Sequence, residues 1–211
     1  MASQELHSKS RIDAIQCYFR LYQYVNTGNL DLDNVGVNMK IPSLDEHELA
    51  DTFPVRLPVW WARYGNAGAH PEENGVSGRR IVLRFEKRFS KIEKLAHRLF
   101  GGSKELRRPL DEMNSLLWEL CDGTRKFKEI CLLMDSTFHE KVAPVQERTA
   151  LGLRNLERLN CMAILNEPFS HGWPTGPGVS PPNQDLPALP KDSIYDCNPL
   201  AGEICEWPEE E

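Results

Sequence analysis

Residues 107–138 read RRPLDEMNSLLWELCDGTRKFKEICLLMDSTF, and this stretch decides the fold. Met113, Leu116, Leu117, Leu120 and Cys121 recur at i, i+3, i+4, i+7 and i+8, one apolar stripe of a helix, with Asp111 placed to cap its start. Asp122-Gly123 ends that helix. Phe127, Ile130, Cys131, Met134 and Phe138 then repeat the spacing in a second helix. Cys121 and Cys131 fall on the apolar stripes, where a thiol acts as a small hydrophobe. Downstream, Pro144 suits a first helical turn, and Val145, Thr149, Leu153 and Leu156 carry a third helix to Asn160, a residue tolerant of the left-handed conformation that ends helices. Met162 to Leu165 is a short apolar exit.

Working backwards, Val59-Trp60-Trp61-Ala62-Arg63-Tyr64 has the β-branched and aromatic content of a strand. A loop from Gly65 to Gly78 joins it to a second strand, Arg80 to Phe85. Ser90-Lys91-Ile92-Glu93 has capping-box form, and Phe89, Ile92, Leu95, Ala96 and Leu99 keep a helical stripe up to Gly101-Gly102, so a short helix is inserted before a third strand, Glu105 to Pro109. Three strands followed by three tightly connected helices predict an α+β domain of winged-helix layout. Trp60, Trp61 and Trp118 are its expected core anchors.

The ends differ from this middle. Ile12, Ile15, Phe19 and Tyr22 predict one amphipathic helix over residues 11–25, and turn residues through 26–52 predict a linker. The expected organisation is therefore 1–52, 53–166 and 167–211, with the middle part folding without either end. The chain carries 25 Lys+Arg against 31 Asp+Glu, yet residues 167–211 hold nine acids and one base, so the net −6 is set by the tail. That tail also has nine prolines and little apolar periodicity, and is predicted to be disordered or draped over the surface. No run reaches the roughly 18 consecutive apolar residues of a membrane span, and the first 30 residues lack a secretory apolar core, which predicts a cytoplasmic protein with no membrane partner. Cys197 and Cys205, with seven residues between them, are a weak metal or disulfide signal.

The segment from Leu110-Asp111 through Trp118, Leu120-Cys121-Asp122-Gly123 and Glu129-Ile130 resembles the PqqD-like family, named for the pyrroloquinoline quinone synthesis protein D. The likeness runs from about Phe53 to Leu165 and takes in the FPVRLPVWW opening and the inserted basic helix. Lys126 stands where that family usually has a capping Ser or Thr, although Thr124 could cap one register earlier, and Asn160 stands where it has Gly.

The resemblance implies a winged-helix peptide-recognition module. Its ligand would be the leader of a ribosomally made precursor peptide, delivered to a separate modifying enzyme of the radical S-adenosylmethionine type. The leader would add an antiparallel strand beside the third strand, here Glu105, Leu106, Arg107 and Arg108, in a cleft lined by the third helix, here Arg148, Leu151 and Asn155. In such β-augmentation main-chain bonds supply affinity and alternate side chains supply selectivity. Pro109 has no N–H to donate, so pairing would end there.

Residues 79–108 contain eleven Lys/Arg against three Glu, a face suited either to an acidic leader or to the chain's own acidic tail. The same run allows a winged-helix DNA-binding regulator as the alternative. Against it, the third helix offsets Arg148, Arg154 and Arg158 with Glu147 and Glu157, and the net charge is negative. No nucleotide-binding, zinc-protease or nucleophile-elbow motif occurs, and the six histidines are scattered, so no catalytic residue, metal site or cofactor is expected. His139-Glu140 and Glu46-His47-Glu48 are expected to be solvated surface residues.

Overall fold

The computed structural model describes residues 43–87, 105–182, 184–190 and 192–208. The helix expected over 11–25, the inserted helix over 89–100 and Cys17 lie outside the described residues. The fold is mixed α+β. Its elements run β1 (Phe53–Arg56), β2 (Trp60–Tyr64), β3 (Arg80–Glu86), β4 (Glu105–Pro109), α1 (Glu112–Leu120), α2 (Phe127–Phe138), α3 (Val145–Arg158) and β5 (Met162–Leu165). β2, β3 and β4 form an antiparallel sheet in that order, with Trp61 opposite Leu83 and Leu83 opposite Arg108. The apolar exit is itself a strand: β5 pairs antiparallel with β1, Phe53 opposite Leu165, and closes the helical part back onto its start.

Local chemistry sets the boundaries. The Asp111 carboxylate accepts from the Asn114 N–H at 2.8 Å, capping α1. At α2 the cap position falls on Lys126, whose ammonium has no lone pair to offer; Glu129 supplies the half of a capping box that remains, accepting the Lys126 N–H at 2.7 Å. Thr124 spends its hydroxyl on Asp122 at 2.7 Å instead. Asn160 takes a φ of 53° and turns the chain from α3 into β5, as its residue type allows. Gly123 has a φ of 82°, and a Cβ there would lie 2.4 Å from the Phe169 Cβ and 3.0 Å from Val55, so both conformation and space demand glycine in this turn. Gly152 lets α3 approach α1, since a Cβ would meet Leu117 at 2.7 Å.

Strand alternation divides the three-stranded sheet into two faces. Trp61, Ile81 and Leu83 face the helices and join Leu117, Trp118, Phe127, Ile130 and Leu153 in the main core; Trp61 and Trp118 meet edge to face at 6.0 Å. Trp60, Ala62 and Val82 face the other way. Leu186, Leu189, Tyr195 and Cys197 cover them, all from the C-terminal segment. Of the two expectations for the tail over 167–211, disorder or draping over the surface, disorder is not what its described residues show. Its described residues are draped on the sheet as a third layer, because strands with apolar side chains on both faces need cover on both. Residues 43–52 are likewise more than a linker: Ala50 is buried, Phe127 donates its N–H to the Thr52 carbonyl at 2.8 Å, and the His47 ring stacks on Phe127 at 4.9 Å rather than standing in water.

A buried ion cluster locks the third layer in place. The Arg63 guanidinium lies 4.8 Å from the centre of the Trp61 ring; Nε donates to Glu119 Oε1 at 2.8 Å, and Nη1 and Nη2 donate to Glu203 at 3.1 and 2.5 Å. All three side chains are at most 2% exposed. Glu119 also accepts the N–H groups of Ser77 and Gly78 at 3.0 and 3.1 Å. Removing one partner of such a pair strands a buried charge. Glu203→Ala is accordingly expected to cost about 3–5 kcal/mol in urea-induced unfolding, whereas exposed Glu206→Ala serves as a near-neutral control. Truncation after Asn166 should yield an aggregation-prone chain, because it bares Trp60 and Val82 together with the Arg63 charge. A soluble, cooperatively folding 43–166 fragment would contradict this account.

Candidate functional site

The four strand residues singled out by sequence all lie on β4, the outermost strand of the sheet among the described residues. Glu105 is buried, while Leu106 is 44% exposed and Arg107, Arg108 and Pro109 are exposed. The direction of the backbone groups follows from the register. The Leu110 N–H donates to Ile81 at 2.8 Å, and in an antiparallel ladder bonded and non-bonded pairs alternate. Leu106 and Arg108 therefore turn their main-chain groups inward to Phe85 and Leu83, and Arg107 turns its N–H and C=O outward. The far edge of the sheet confirms the phase: Arg63 on β2 exchanges both main-chain bonds with Asp196, at 3.0 and 2.8 Å, and the Trp61 carbonyl accepts from Gly178 at 2.8 Å. One sheet edge is thus occupied by the C-terminal segment.

The two faces of β4 carry different chemistry. On the tail face, Glu105 accepts from Arg84 Nε at 2.8 Å and from Arg107 Nε at 2.6 Å. Arg84 also lies 4.4 Å over the Trp60 ring and donates to the Pro187 carbonyl at 2.8 Å. Arg107 lies 5.5 Å over the ring of Tyr195, which in turn packs edge-on against Trp60 and Tyr64. Burial alone would raise the Glu105 carboxyl, but the bonds from Arg84 and Arg107 outweigh it and hold it below the ordinary carboxylate range. On the helix face stand Leu106 and Arg108. The charge of Arg108 reaches Cys161 at the end of α3, where burial pushes the thiol up to about 12 and Arg108 partly opposes it.

Arg148, Leu151 and Asn155 share one exposed face of α3, with Leu151 47% exposed. Arg148 donates to the Lys141 carbonyl at 2.9 Å. No hydrogen bond or ion pair among the described residues joins this face to β4. The basic run is partly satisfied from within: besides Arg84 and Arg107, Arg79 pairs with Asp196 at 2.6 Å, so the tail does meet this face, although Glu203 is spent elsewhere, on Arg63.

A pocket of about 240 Å³ is lined by Arg56, Glu119, Asp122, Arg125, Thr175 and Glu203 among others, none of them on β4. Its charges serve the fold: Arg56 donates to the Trp118 and Glu119 carbonyls, Arg125 pairs with Asp122, and both glutamates are held by Arg63. Among the described residues no group of three or more His, Cys, Asp or Glu could hold a metal ion, and no helix is long and apolar enough to cross a membrane. Cys121, Cys131 and Cys161 are buried as free thiols, and Trp60, Trp61 and Trp118 are core residues as expected. His139 and Glu140 are exposed.

Sequence reasoning missed Tyr195, Arg84 and the Arg63 cluster. A signal existed: Val59 to Ala62 and Ile81 to Leu83 are apolar at consecutive positions, the mark of a strand covered twice. The Glu105 arrangement has a pH consequence. A carboxyl depressed on folding contributes stability above its unfolded value, near 4.3, and loses it as pH falls through the folded value. The stability difference between the wild type and Glu105→Gln, read from urea unfolding at a series of pH values, should be full at neutral pH and shrink below about pH 4.

Searched against protein-family models, characterised proteins and solved structures, the chain matches none of them.

Proposed function

We propose that this protein binds the leader of a ribosomally made precursor peptide as an added strand and presents it to a separate modifying enzyme, performing no chemistry itself. The observation that carries the reading is the inequality of the two sheet edges. β2 already has the main chain of Asp196 and Gly178 against it, while β4 is outermost among the described residues and turns the Arg107 N–H and C=O outward. Strand edges that turn main-chain groups outward are templates for strand addition. The sheet with its three helices is read as a winged helix, in which the exposed face of α3 with Arg148, Leu151 and Asn155 would be the second wall. The likeness of residues 110–130 to PqqD-like proteins supports the same ligand class, and a radical S-adenosylmethionine maturase is the partner it suggests.

The register sharpens the test. Arg107→Pro deletes the outward donor and should weaken leader binding, while Arg107→Ala keeps that donor and should cost only about 0.5–1.5 kcal/mol. Leu106→Pro breaks an inward bond and should lower stability instead. Calorimetric titration with synthetic peptides from short reading frames beside the gene measures the effect, with duplex DNA titrated in parallel. A DNA-binding regulator would instead give binding that weakens steeply with salt, with a slope reduced by about one on Arg148→Ala and no response to Arg107→Pro beyond any loss of fold. That pattern, with no leader binding, defeats the proposal.

A further inference from the structure

We infer that the β4 edge selects an acidic-acidic-apolar tripeptide, with Arg108 and Leu106 reading it on the helix face, and Arg107, held in position by Tyr195 of the C-terminal segment, reading it on the tail face. The inference rests on the strand-addition reading above and names the chemistry of its ligand.

In an antiparallel added strand, the residues opposite Arg108, Arg107 and Leu106 follow one another from the N- to the C-terminal side of the peptide. Their side chains fall on the helix, tail and helix faces in turn, because successive residues of a strand alternate. The first position meets Arg108, an exposed guanidinium with no ion-pair partner among the described residues. The second lies in the cross-strand row of Trp60, Arg84 and Arg107. There the Arg84 and Arg107 guanidiniums both bond the carboxylate of Glu105, and the exposed Glu86 stands opposite Glu105 in the next row. Arg107 remains 45% exposed in its side chain while bonded to Glu105, so it can receive a second carboxylate. The third position meets Leu106, with 44% of its surface exposed.

Tyr195 is placed for its role by its neighbours. Asp196, the next residue, is fixed by its two main-chain bonds to Arg63, and the Tyr195 N–H donates to Ser193 Oγ at 3.2 Å. The ring packs against the cluster of Trp60, Ala62 and Val82, edge-on to Trp60 and Tyr64, and lies 5.5 Å from the Arg107 guanidinium. Without the ring, Arg107 would be free to swing from the row while the β4 backbone stayed as it is. Tyr195 is thus a positioning residue acting through Arg107.

The test uses the full chain and fluorescein-labelled decapeptides with a Glu-Glu-Leu core in a Thr/Val background, read by anisotropy at low and near-physiological salt. Their counterparts carry Gln-Gln-Leu, Lys-Lys-Leu, and single Glu-to-Gln changes. Glu-Glu-Leu is expected to bind at least about tenfold tighter than Lys-Lys-Leu at low salt, with the ratio falling as the Debye length shortens to about 8 Å. Arg108→Gln should abolish the preference for Glu at the first position only. Tyr195→Ala should abolish it at the second only, and Tyr195→Phe should restore it, a pattern that mere loss of stability cannot give. N-methylation of the second Glu, whose N–H pairs with Arg107, should prevent binding, whereas N-methylation of Leu, whose N–H points away, should be tolerated. The protein is unaltered in these last two arms, so folding of a variant cannot confuse them. Equal affinity for the three cores, with the N-methyl pattern intact, overturns the inference and leaves strand addition standing. Binding indifferent to both methylations, or no binding of any probe, overturns strand addition and the inference with it.

Discussion

One buried guanidinium joins three separate parts of this chain. Arg63 on β2 reaches Glu119 on α1 and Glu203 in the C-terminal segment, 140 positions away, with the Trp61 ring against it. Burying ions costs several kcal/mol each, and their attraction recovers this only with near-complete hydrogen bonding. Here the bonding is close to complete: Glu119 takes two loop N–H groups besides Arg63, and Glu203 also takes the Leu200 N–H at 2.8 Å. The cluster therefore does less to add net stability than to specify an arrangement. A register shift in the C-terminal segment would leave at least one of these charges buried and alone, so Asp196 is held opposite Arg63 and Tyr195 is held against Trp60 and Tyr64. The geometry of the β4 edge inherits that placement through Arg107.

The helices were legible because their information is local. Spacing of 3.6, an Asp before the first stripe and an Asn at the end of α3 each specify a turn that forms between near neighbours. The strands of the sheet were legible from composition, and their partners from sequence order. The third layer was not, because its contacts are made by single residues of a proline-rich segment with no period. Thr175 accepts the Trp61 indole N–H at 3.1 Å and Trp173 donates to the Arg56 carbonyl at 2.8 Å, and neither residue belongs to any stripe. Low apolar content argues for disorder when a segment must build its own core, but this segment completes a core that β2 and β3 already begin.

The candidate site was legible in part for the same reason. Counting charge over residues 79–108 locates a basic region, but a strand sorts neighbouring residues to opposite faces. Arg107 and Arg108 are adjacent in sequence and differ in everything else: one is paired to Glu105 and stacked on Tyr195, the other stands exposed beside Leu106. Spacing could place both on an edge. Which of them carries an unshared charge depends on Glu105 and Tyr195, and only the folded chain brings Tyr195 there.

Edge geometry also limits what the main chain can contribute. A five-residue strand ending in Pro109 turns outward the N–H and C=O of alternate residues, Glu105, Arg107 and Pro109, so at most five backbone groups face an incoming strand. At about 0.5–1.5 kcal/mol net for each bond, these give a few kcal/mol, while ordering each peptide residue costs about 1–2 kcal/mol. Pairing all five orders five peptide residues at a cost of about 5–10 kcal/mol, so the main-chain bonds alone do not offset the ordering. For a strand added at this edge, affinity would then have to come from the side chains that flank the pairing, so that the identity of Leu106, Arg107 and Arg108, more than the existence of the edge, would decide what binds.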